Sequence, residues 1–282
     1  MQNSIIVRPA EASDKATILA FCQNTFSWGD YIPDVYDDWL KDEHGKLFVA
    51  LADDQPVSIL HVAFIDKQTA WLEGMRVHPD YRGHGVGAII DEQARAYAKS
   101  RSCQRARLVT SIKNISAQKL LTKLNYNRVA QFNEWEADPT PESFDDLQIA
   151  REDDVPSILA RWQQSQLRSA CSVTPNRFWR WTEINQHRLQ KQTRFGEVRI
   201  LCDGFAIVSA FDEKDWNGLG IHALDGDAET MRSIALAMRG EAHYRGYVHL
   251  EATVVDYAPL NTALELARYR RGGGMLLYEH AL

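Results

Sequence analysis

Several features are scarce in this 282-residue chain, and each scarcity excludes a class of protein. Four cysteines are present, widely separated and without a C-x-x-C pair, so neither a disulfide framework nor a zinc site is expected. No apolar run reaches the length of a transmembrane helix. Lysine and arginine are not clustered, and the net charge is −6, so we expect no nucleic-acid partner.

The N-terminal segment, MQNSIIVRPAEASD, contains no apolar stretch of signal-peptide length. We therefore expect a cytoplasmic protein that has no membrane partner and binds no metal. All four cysteines are expected to be buried as small hydrophobic residues. The rest of the composition, with 45% hydrophobic and 25% charged residues, is that of an ordinary soluble protein long enough for two domains.

The stretch from Trp71 to Gly87, WLEGMRVHPDYRGHGVG, gives the clearest indication of function. Its apolar first half predicts a strand that ends before Pro79, because proline cannot donate to a sheet. Three glycines follow at positions 83, 85 and 87, and a helix is predicted behind them. Glycine permits positive φ and a close approach of backbone N–H groups to a ligand. A helix N-terminus beside Arg82 is therefore suited to an anion such as a pyrophosphate.

Other phosphate-binding motifs fit this loop less well. A Walker loop requires lysine after its last glycine, and none follows Gly87. The dinucleotide fingerprint places its third glycine one position later and an acid about twenty residues on, which residues 102–106 do not provide. One alternative is a glycine-rich turn without a ligand. The run RGHGVG instead resembles the R/Q-x-x-G-x-G/A loop of the GNAT acyltransferases.

This resemblance implies an α/β fold with a mixed sheet that binds acetyl-CoA, and thus coenzyme A. In that family the loop amides hold the pyrophosphate, and the preceding strand bonds the pantetheine arm. The implied cofactor-binding residues are Met75, Arg76, Val77, Arg82, Gly83, His84, Gly85, Val86, Gly87 and Asn114. Asn114 has an alternative role as the N-cap of the helix that follows it.

The predicted elements of residues 1–136 follow the order β-α-α-β-β-β-α-β-α-β, which is that of the GNAT fold, with a first helix over residues 14–26. A linker is predicted over residues 137–146. The same order recurs over residues 147–282, where Asp154–Ala160 repeats the pattern of Asp14–Ala20. We therefore predict tandem GNAT folds, and the alternative for the second half is a different α/β domain.

The second copy is predicted to be degenerate. At the place of the glycine loop it has Leu224–Glu229, LDGDAE, which contains three acids and one glycine. Carboxylates repel a pyrophosphate. We therefore expect that only the first domain binds the cofactor, and that the second shapes the acceptor pocket or a homodimer.

Acetyl transfer to an amine requires that the amine lose its proton, which at pH 7 costs roughly 4–5 kcal/mol for a lysine-like amine and about 1 kcal/mol for an α-amine. Glu73 precedes the loop on its strand, where many GNAT enzymes place a glutamate that acts as the base. Strand alternation predicts that Glu73 shares a face with Met75 and Val77. The alternative for Glu73 is a salt-bridged carboxylate, and His61 and His78 are weaker candidates for the base.

The donor of a proton to the departing thiolate is unassigned. GNAT enzymes often carry a tyrosine in a segment like LYEKLGF. The corresponding run here, LLTKLNY, places Leu121 at the tyrosine and Tyr126 at the phenylalanine.

The segment between the first two helices lines the acceptor site in this family, and here it is rich in acids and aromatic residues that suit a cationic amine. Asp30 and Tyr31 are the predicted substrate-binding residues, within the set Trp28, Asp30, Tyr31, Asp34, Tyr36, Asp37, Asp38 and Trp39. The alternative is a short helix that packs through Val35, Trp39 and Leu40 while its acids face water.

Two runs, DYIPDVYDDWL and WLEGMRVHPDYRGHGV, resemble the vertebrate histidine N-acetyltransferase group within the GNAT family. This resemblance implies an N-acetyltransferase that acts on a small-molecule amine, such as the free amino acid histidine. A protein acetyltransferase and a non-catalytic acyl-CoA sensor are the alternatives.

Overall fold

The computed structural model describes residues 4–23, 25, 29–213 and 216–282. It contains two compact units. Unit 1 takes in Met1–Thr110, Asn114–Arg128 and Tyr278–Leu282, and unit 2 takes in Ser111–Lys113 and Val129–Leu277. The domain boundaries at residues 136 and 147 stay a prediction. No helix in the described part of the chain is both long and apolar enough to cross a membrane.

The elements of unit 1 are, in chain order, β1 (Ile5–Pro9), α1 (Lys15–Cys22), α2 (Ile32–Leu40), β2 (Lys46–Ala52), β3 (Gln55–Phe64), β4 (Thr69–Val77), α3 (Val86–Ser100), β5 (Arg105–Ser111) and α4 (Ile115–Lys123). Strands β1 to β4 pair in sequence as antiparallel neighbours, and β4 pairs in parallel with β5. Alternate residues of β2 face opposite sides of this sheet. Leu47 and Val49 pack against α1 and α2, whereas Phe48 contacts Tyr97 of α3.

Strand β4 contains a bulge next to the predicted base. His61 is paired with Glu73 and Ile59 with Arg76, so three steps along β4 match two steps along β3. Gly74 has a positive φ of 71° at this point, which favours glycine. The bulge places Glu73 and Arg76 on one face of the sheet. The expectation that Glu73 shares a face with Met75 and Val77 is therefore wrong, because the extra residue interrupts the alternation.

Pairing between β4 and β5 covers a short stretch in the described part of the chain. Thr69–Trp71 pair with Arg105–Arg107, and no pairing with β5 is found beyond Trp71. The second half of β4, including Met75 and Val77, therefore presents a strand edge next to the loop. A sheet edge of this kind offers backbone N–H and C=O groups to a ligand.

The last five residues of the chain belong to unit 1. The N–H of Leu282 donates to the carbonyl of Gln104, and Arg107 forms an ion pair with Glu279 at 2.7 Å. His280 contacts Arg95, with 3.2 Å between its Nε2 and Nη1 of the arginine.

The elements of unit 2 are β6 (Asn127–Ala137), β7 (Gln148–Ile149), α5 (Val155–Gln164), α6 (Gln166–Ala170), β8 (Val173–Pro175), β9 (Trp181–Glu183), α7 (Gln186–Arg194), β10 (Val198–Leu201), β11 (Gly204–Glu213), β12 (Trp216–Asp225), α8 (Ala228–Tyr244), β13 (His249–Val255), α9 (Ala258–Leu266) and β14 (Arg270–Ala281). Strands β7, β10, β11 and β12 are antiparallel neighbours, β12 and β13 are parallel, and β13 is antiparallel to β6. The strands β8 and β9 form a separate hairpin.

The element order predicted for residues 1–136 is confirmed, as are the predicted strands and helices from β10 onwards. The predicted end of the first helix at Phe26 lies outside the described residues, and α1 ends at Cys22. The sequence analysis did not predict the four elements α6, β8, β9 and α7. Helix α7 has Leu189 as its one aliphatic residue, so it shows no apolar periodicity. Strands β8 and β9 are each three residues long, too short to give an alternating pattern. Cys202 is exposed, so the prediction that all four cysteines are buried is wrong for this residue.

Candidate functional site

The loop that connects β4 to α3 has the conformation that its glycines permit. Gly83 and Gly85 have φ values of 80° and 84°, and Gly85 is the N-cap of α3. A Cβ atom at either position would meet no atom within 4 Å. The space next to both residues is therefore open, and the loop uses glycine for its backbone conformation rather than for internal packing.

The N-terminus of α3 is exposed to solvent. Gly83, His84 and Gly85 are exposed, while Val86 is buried beneath them. In the part of the chain that the structure describes, no residue accepts a hydrogen bond from the N–H groups of residues 83–87. Unpaired N–H groups at the start of a helix of this length attract an anion. Arg82 adds a positive charge beside them, and its Nε donates to the carbonyl of Val77 at 3.1 Å.

Gly87 lets α3 lie close to β4 and α4. A Cβ atom there would be 3.2 Å from Cδ2 of Leu120, 3.6 Å from Sδ of Met75 and 3.8 Å from Cγ2 of Val77. The loop, the second half of β4 and α4 are therefore neighbours within unit 1. Among the predicted cofactor-binding residues, Arg76 has its side chain on the other face of the sheet, where it pairs with Asp30.

Glu73 faces the other side of the sheet, towards α2. Its Oε1 is 2.9 Å from Nδ1 of His61, and its side chain is 14% exposed. An ionised carboxylate can only accept a hydrogen bond, so Nδ1 carries the proton in this contact. Glu73 is therefore a carboxylate with partial access to solvent and one oxygen held by a neighbouring ring.

His61 is completely buried between two acids and an aromatic ring. On the side away from Glu73, its Nε2 lies 3.2 Å from Oδ2 of Asp42, within ion-pair distance but without the alignment of a hydrogen bond. The indole of Trp39 stacks on the imidazole, with the ring centroids 4.6 Å apart and the planes 5° apart. A Cβ at Gly74 would collide with Trp39, so the glycine of the bulge makes room for this stack.

Asp30 and Tyr31, the predicted substrate-binding residues, surround Arg76. Asp30 accepts from Nε of Arg76 at 2.7 Å and from Nη2 at 2.9 Å, and its side chain is 1% exposed. The guanidinium also lies 5.1 Å from the ring centroid of Tyr31, which is partly exposed. Burial by itself would raise the pKa of Asp30, but the hydrogen bonds and charge of Arg76 outweigh it and hold that pKa below its usual value.

The Asp30 carboxylate is thus already neutralised by Arg76, which leaves it little attraction for a cationic amine. The role of Asp30 in substrate binding stays a prediction, as does that of Tyr31. For α2, the structure confirms the alternative of a packed helix. Ile32, Tyr36 and Trp39 are buried, and the exposed acids of this segment are Asp34, Asp37 and Asp38. Trp28 lies outside the described residues.

Asn114 caps α4, since its Oδ1 accepts from the N–H of Ala117 at 3.1 Å. Leu121 is buried and offers no proton to a thiolate. Tyr126 donates to Oδ1 of buried Asp91 at 2.8 Å, and burial together with the Asp91 charge raises the pKa of Tyr126. The thiolate donor therefore stays unassigned, because neither residue at the expected positions provides one.

The sequence did not single out Asp42, and it treated His61 and Trp39 separately. No sequence signal marks Asp42, although the structure shows why a glycine follows it at position 45, where a Cβ would come within 2.8 Å of Nε2 of His61 and collide with Asp42. Without the structure nothing relates this glycine to the histidine, because the two are brought together by the pairing of β2 with β3.

Comparison with known proteins agrees with this architecture. Residues 14–126 match the model of the acetyltransferase (GNAT) family. Over 93 residues, 33% of the chain, the sequence is 31% identical to histidine N-acetyltransferase of Oreochromis niloticus, and the match spans 28% of that relative. The matched part of the chain thus spans little more than a quarter of the length of this curated relative.

Solved structures extend the likeness to the whole chain at the level of the fold. A GCN5-related N-acetyltransferase from Sphaerobacter thermophilus matches with a TM-score of 0.67 at 15% identity, covering 98% of this chain and 95% of that one. A tandem GNAT protein from the clavulanic acid biosynthesis pathway matches with a TM-score of 0.62 at 13% identity, covering 99% and 98%. The prediction of a tandem GNAT fold is confirmed.

Proposed function

We propose that the GNAT acetyltransferase domain, which this chain carries over residues 14–126, transfers an acetyl group from acetyl-CoA to the amine of a small molecule. One observation carries the proposal. An open glycine loop with unpaired N–H groups follows a strand whose pairing with β5 is confined to Thr69–Trp71 among the described residues, and the carboxylate of Glu73 lies on that same strand.

The residues present fit acetyl-CoA. The N–H groups of residues 83–87 and the charge of Arg82 suit its pyrophosphate, because they provide an open anion site at a helix N-terminus. The edge of β4 at Met75 and Val77 suits the amide-containing pantetheine arm, which can hydrogen-bond like an added strand, whereas the carbonyl of Arg76 accepts from Ser58 of β3. When bound, acetyl-CoA supplies the thioester carbonyl that the transfer requires. Holding the thioester next to the amine lowers the activation free energy by several kcal/mol through orientation alone.

Glu73 is the proposed catalytic base. It takes a proton from the acceptor ammonium, which leaves the lone pair on nitrogen free to attack. Its position on β4 next to the bulge keeps it within a few residues of the strand edge assigned to the pantetheine arm. The partial exposure of Glu73 gives the acceptor access to this carboxylate.

For the acceptor, we propose a free amino acid, with histidine as the first to test. The similarity to the fish histidine N-acetyltransferase over 93 residues supports this choice. Deprotonating an α-amine at pH 7 costs little free energy, because its pKa of about 8 lies close to neutral pH.

The test is to incubate the purified protein with acetyl-CoA and a panel of free amino acids and polyamines, and to follow the release of free thiol. Glu73→Gln is expected to lower kcat by roughly 10²- to 10⁴-fold, since it removes the base, while acetyl-CoA binding measured by calorimetry is unchanged. Glu92→Gln, at an exposed position of α3, is the matched control and is expected to retain full activity.

Two results would contradict the proposal. If acetyl-CoA binds and no amine on the panel is acetylated, the acyl-CoA sensor is favoured, and the lack of a tyrosine at Leu121 agrees with that outcome. If mass spectrometry finds acetylated proteins and no acetylated small molecule, the acceptor is a protein. Equal activity of Glu73→Gln and wild type would remove Glu73 from the mechanism.

A further inference from the structure

We propose that His61 is a positioning residue for Glu73, holding one carboxylate oxygen so that the other takes the proton of the acceptor amine. The proposal rests on the proposed function, because it assigns a role within that reaction. It concerns a buried histidine on β3 and not the loop that binds the cofactor.

The side chain of His61 has a fixed orientation. Its ring is completely buried and stacks in parallel on Trp39, and the bulge glycine Gly74 leaves room for that indole. The ring therefore cannot rotate to face solvent without displacing Trp39 from the core between α2 and the sheet. Close packing of this kind determines where Nδ1 points.

Charged side chains face the ring of His61 on both of its nitrogen atoms. Glu73 approaches Nδ1 from β4, and Asp42 approaches Nε2 from the segment between α2 and β2. On the same face of the sheet, Arg76 and Asp30 pair with each other. Asp42 lies 3.2 Å from Nε2 and thereby holds the far side of the ring in place, as outer carboxylates do for histidines that bind metals.

The contact with His61 affects both the charge and the orientation of Glu73. The N–H at Nδ1 donates to Oε1 at 2.9 Å, which stabilises the ionised form of the carboxylate and limits its rotation. In the reaction, an N–H bond of the acceptor ammonium breaks and an O–H bond forms at Oε2. The electron pair stays on the amine nitrogen, and the proton on Nδ1 stays on His61. The proton on Oε2 then leaves to solvent.

His61→Phe tests this role, because phenylalanine retains the stack on Trp39 and removes both ring nitrogens. We expect kcat to fall roughly 10-fold or more and the acid limb of the pH profile to move to higher pH, since Glu73 loses a donor to its charged form. His61→Asn is the rescue variant, because its amide nitrogen lies where Nδ1 is. It is expected to restore both the rate and the pH profile to within a few-fold of wild type.

Asp42→Asn separates the two contacts of the ring. It removes the charge next to Nε2 and leaves the donor to Glu73, so kcat is expected to fall by a smaller factor than in His61→Phe. His243→Phe, at an exposed position of α8, is the control for the substitution itself. Thermal unfolding and acetyl-CoA binding of every variant show whether the fold and the cofactor site are intact.

A measurement without turnover distinguishes failure of this inference from failure of the proposed function. Carboxyl ¹³C NMR follows the titration of Glu73 in wild type and in both histidine variants. We expect the pKa of Glu73 to be higher in His61→Phe than in wild type, and to be close to the wild-type value in His61→Asn. It is overturned if a folded His61→Phe protein titrates Glu73 as wild type does, or if it retains the wild-type kcat and pH profile.

Discussion

The two units of the molecule have the same strand-to-helix junction, and they use it differently. In unit 1, β4 contains a bulge at Gly74 and pairs with β5 along its first residues only. In unit 2, β12 contains an extra residue at His222, and its pairing with β13 ends at Ile221. Both junctions therefore consist of a bulged strand whose pairing with its parallel neighbour ends before the strand itself does, followed by a helix.

The connections that follow the two strands differ in length and chemistry. Unit 1 uses residues 78–85, with glycines of positive φ and an open helix N-terminus. Unit 2 uses residues 226–227, and Asp227 caps α8 by accepting from the N–H of Thr230 at 2.7 Å. Its own side chain thus occupies the place where an anion would bind in unit 1.

Unit 2 nevertheless retains a cavity of about 450 Å³ at this junction, bounded by Arg161, Ser165, Asp225, Asp227 and Tyr257 among others. Asp225 is buried there, and burial raises the pKa of this carboxyl despite a hydrogen bond from Ser165. A cleft at this junction is therefore not by itself an anion site, and the open N–H groups of the unit 1 loop are what unit 2 lacks. That only the first unit binds the cofactor stays a prediction, and it can be tested at both junctions.

The largest effect is expected from Gly85→Val. A β-branched side chain is strained at positive φ and would fill the open space next to the loop N–H groups. Affinity for acetyl-CoA, measured by calorimetry, should fall about 100-fold or more, equivalent to about 2.7 kcal/mol. Gly246→Val introduces the same strain in unit 2 at an equally open position, and it should bind acetyl-CoA as wild type does. Equal losses in both variants would refute a local role of the loop.

The next effect is on stability, through Asp30→Asn. The substitution leaves the guanidinium of Arg76 without a charged partner at a site that is almost buried, and we expect a loss of about 3 kcal/mol in urea unfolding at pH 7. The exposed variant Asp38→Asn should change stability by no more than about 0.5 kcal/mol.

The sign of the pH dependence follows from the lowered pKa of Asp30. The stability it contributes is fully present above its unfolded pKa, about 3.9, and is lost as the pH falls through the lower folded value. Wild type and Asp30→Asn should therefore converge on acidification, and a difference that stays constant down to pH 2 would contradict this account.

The smallest effect has the opposite sign and comes from Asp225→Asn in unit 2. Because the pKa of Asp225 is raised in the folded state, its ionisation destabilises the fold as the pH rises through that value. Asparagine can still accept the hydrogen bond from Ser165 and carries no charge. The variant should have a higher Tm than wild type at pH 7 and a similar one below pH 4. A lower Tm at pH 7 would show that the ion pair with Arg161, at 3.4 Å, outweighs burial.

Much of the fold could be predicted because local patterns specify it. The alternating and helical apolar periods located the strands and helices of unit 1, and the spacing of Gly83, Gly85 and Gly87 located the loop. The bulge at Gly74 could not be predicted. A single glycine in a strand is compatible with regular pairing, and the register depends on β3, which is distant in sequence.

The candidate site was predictable in part for the same reason. Glu73 was found from its place before the loop, but its partner His61 and the stacked Trp39 come from other elements. Asp30 was predicted to bind the amine, which stays a prediction, and its contact with Arg76, 46 residues along the sequence, was not predicted. Side-chain pairs of this kind are set by packing between α2 and the sheet.

The sequence by itself determined the order of elements in unit 1, the tandem arrangement and the glycine loop, because each depends on residues close together in the chain. Only the tertiary structure decided which face Glu73 occupies and which acids are already paired. It also decided that unit 2 retains a cleft while Asp227 occupies the N-terminus of α8. The physical reason is that a bulge reverses the side-chain alternation of a strand, and that a buried charge takes its partner from whichever element packs against it.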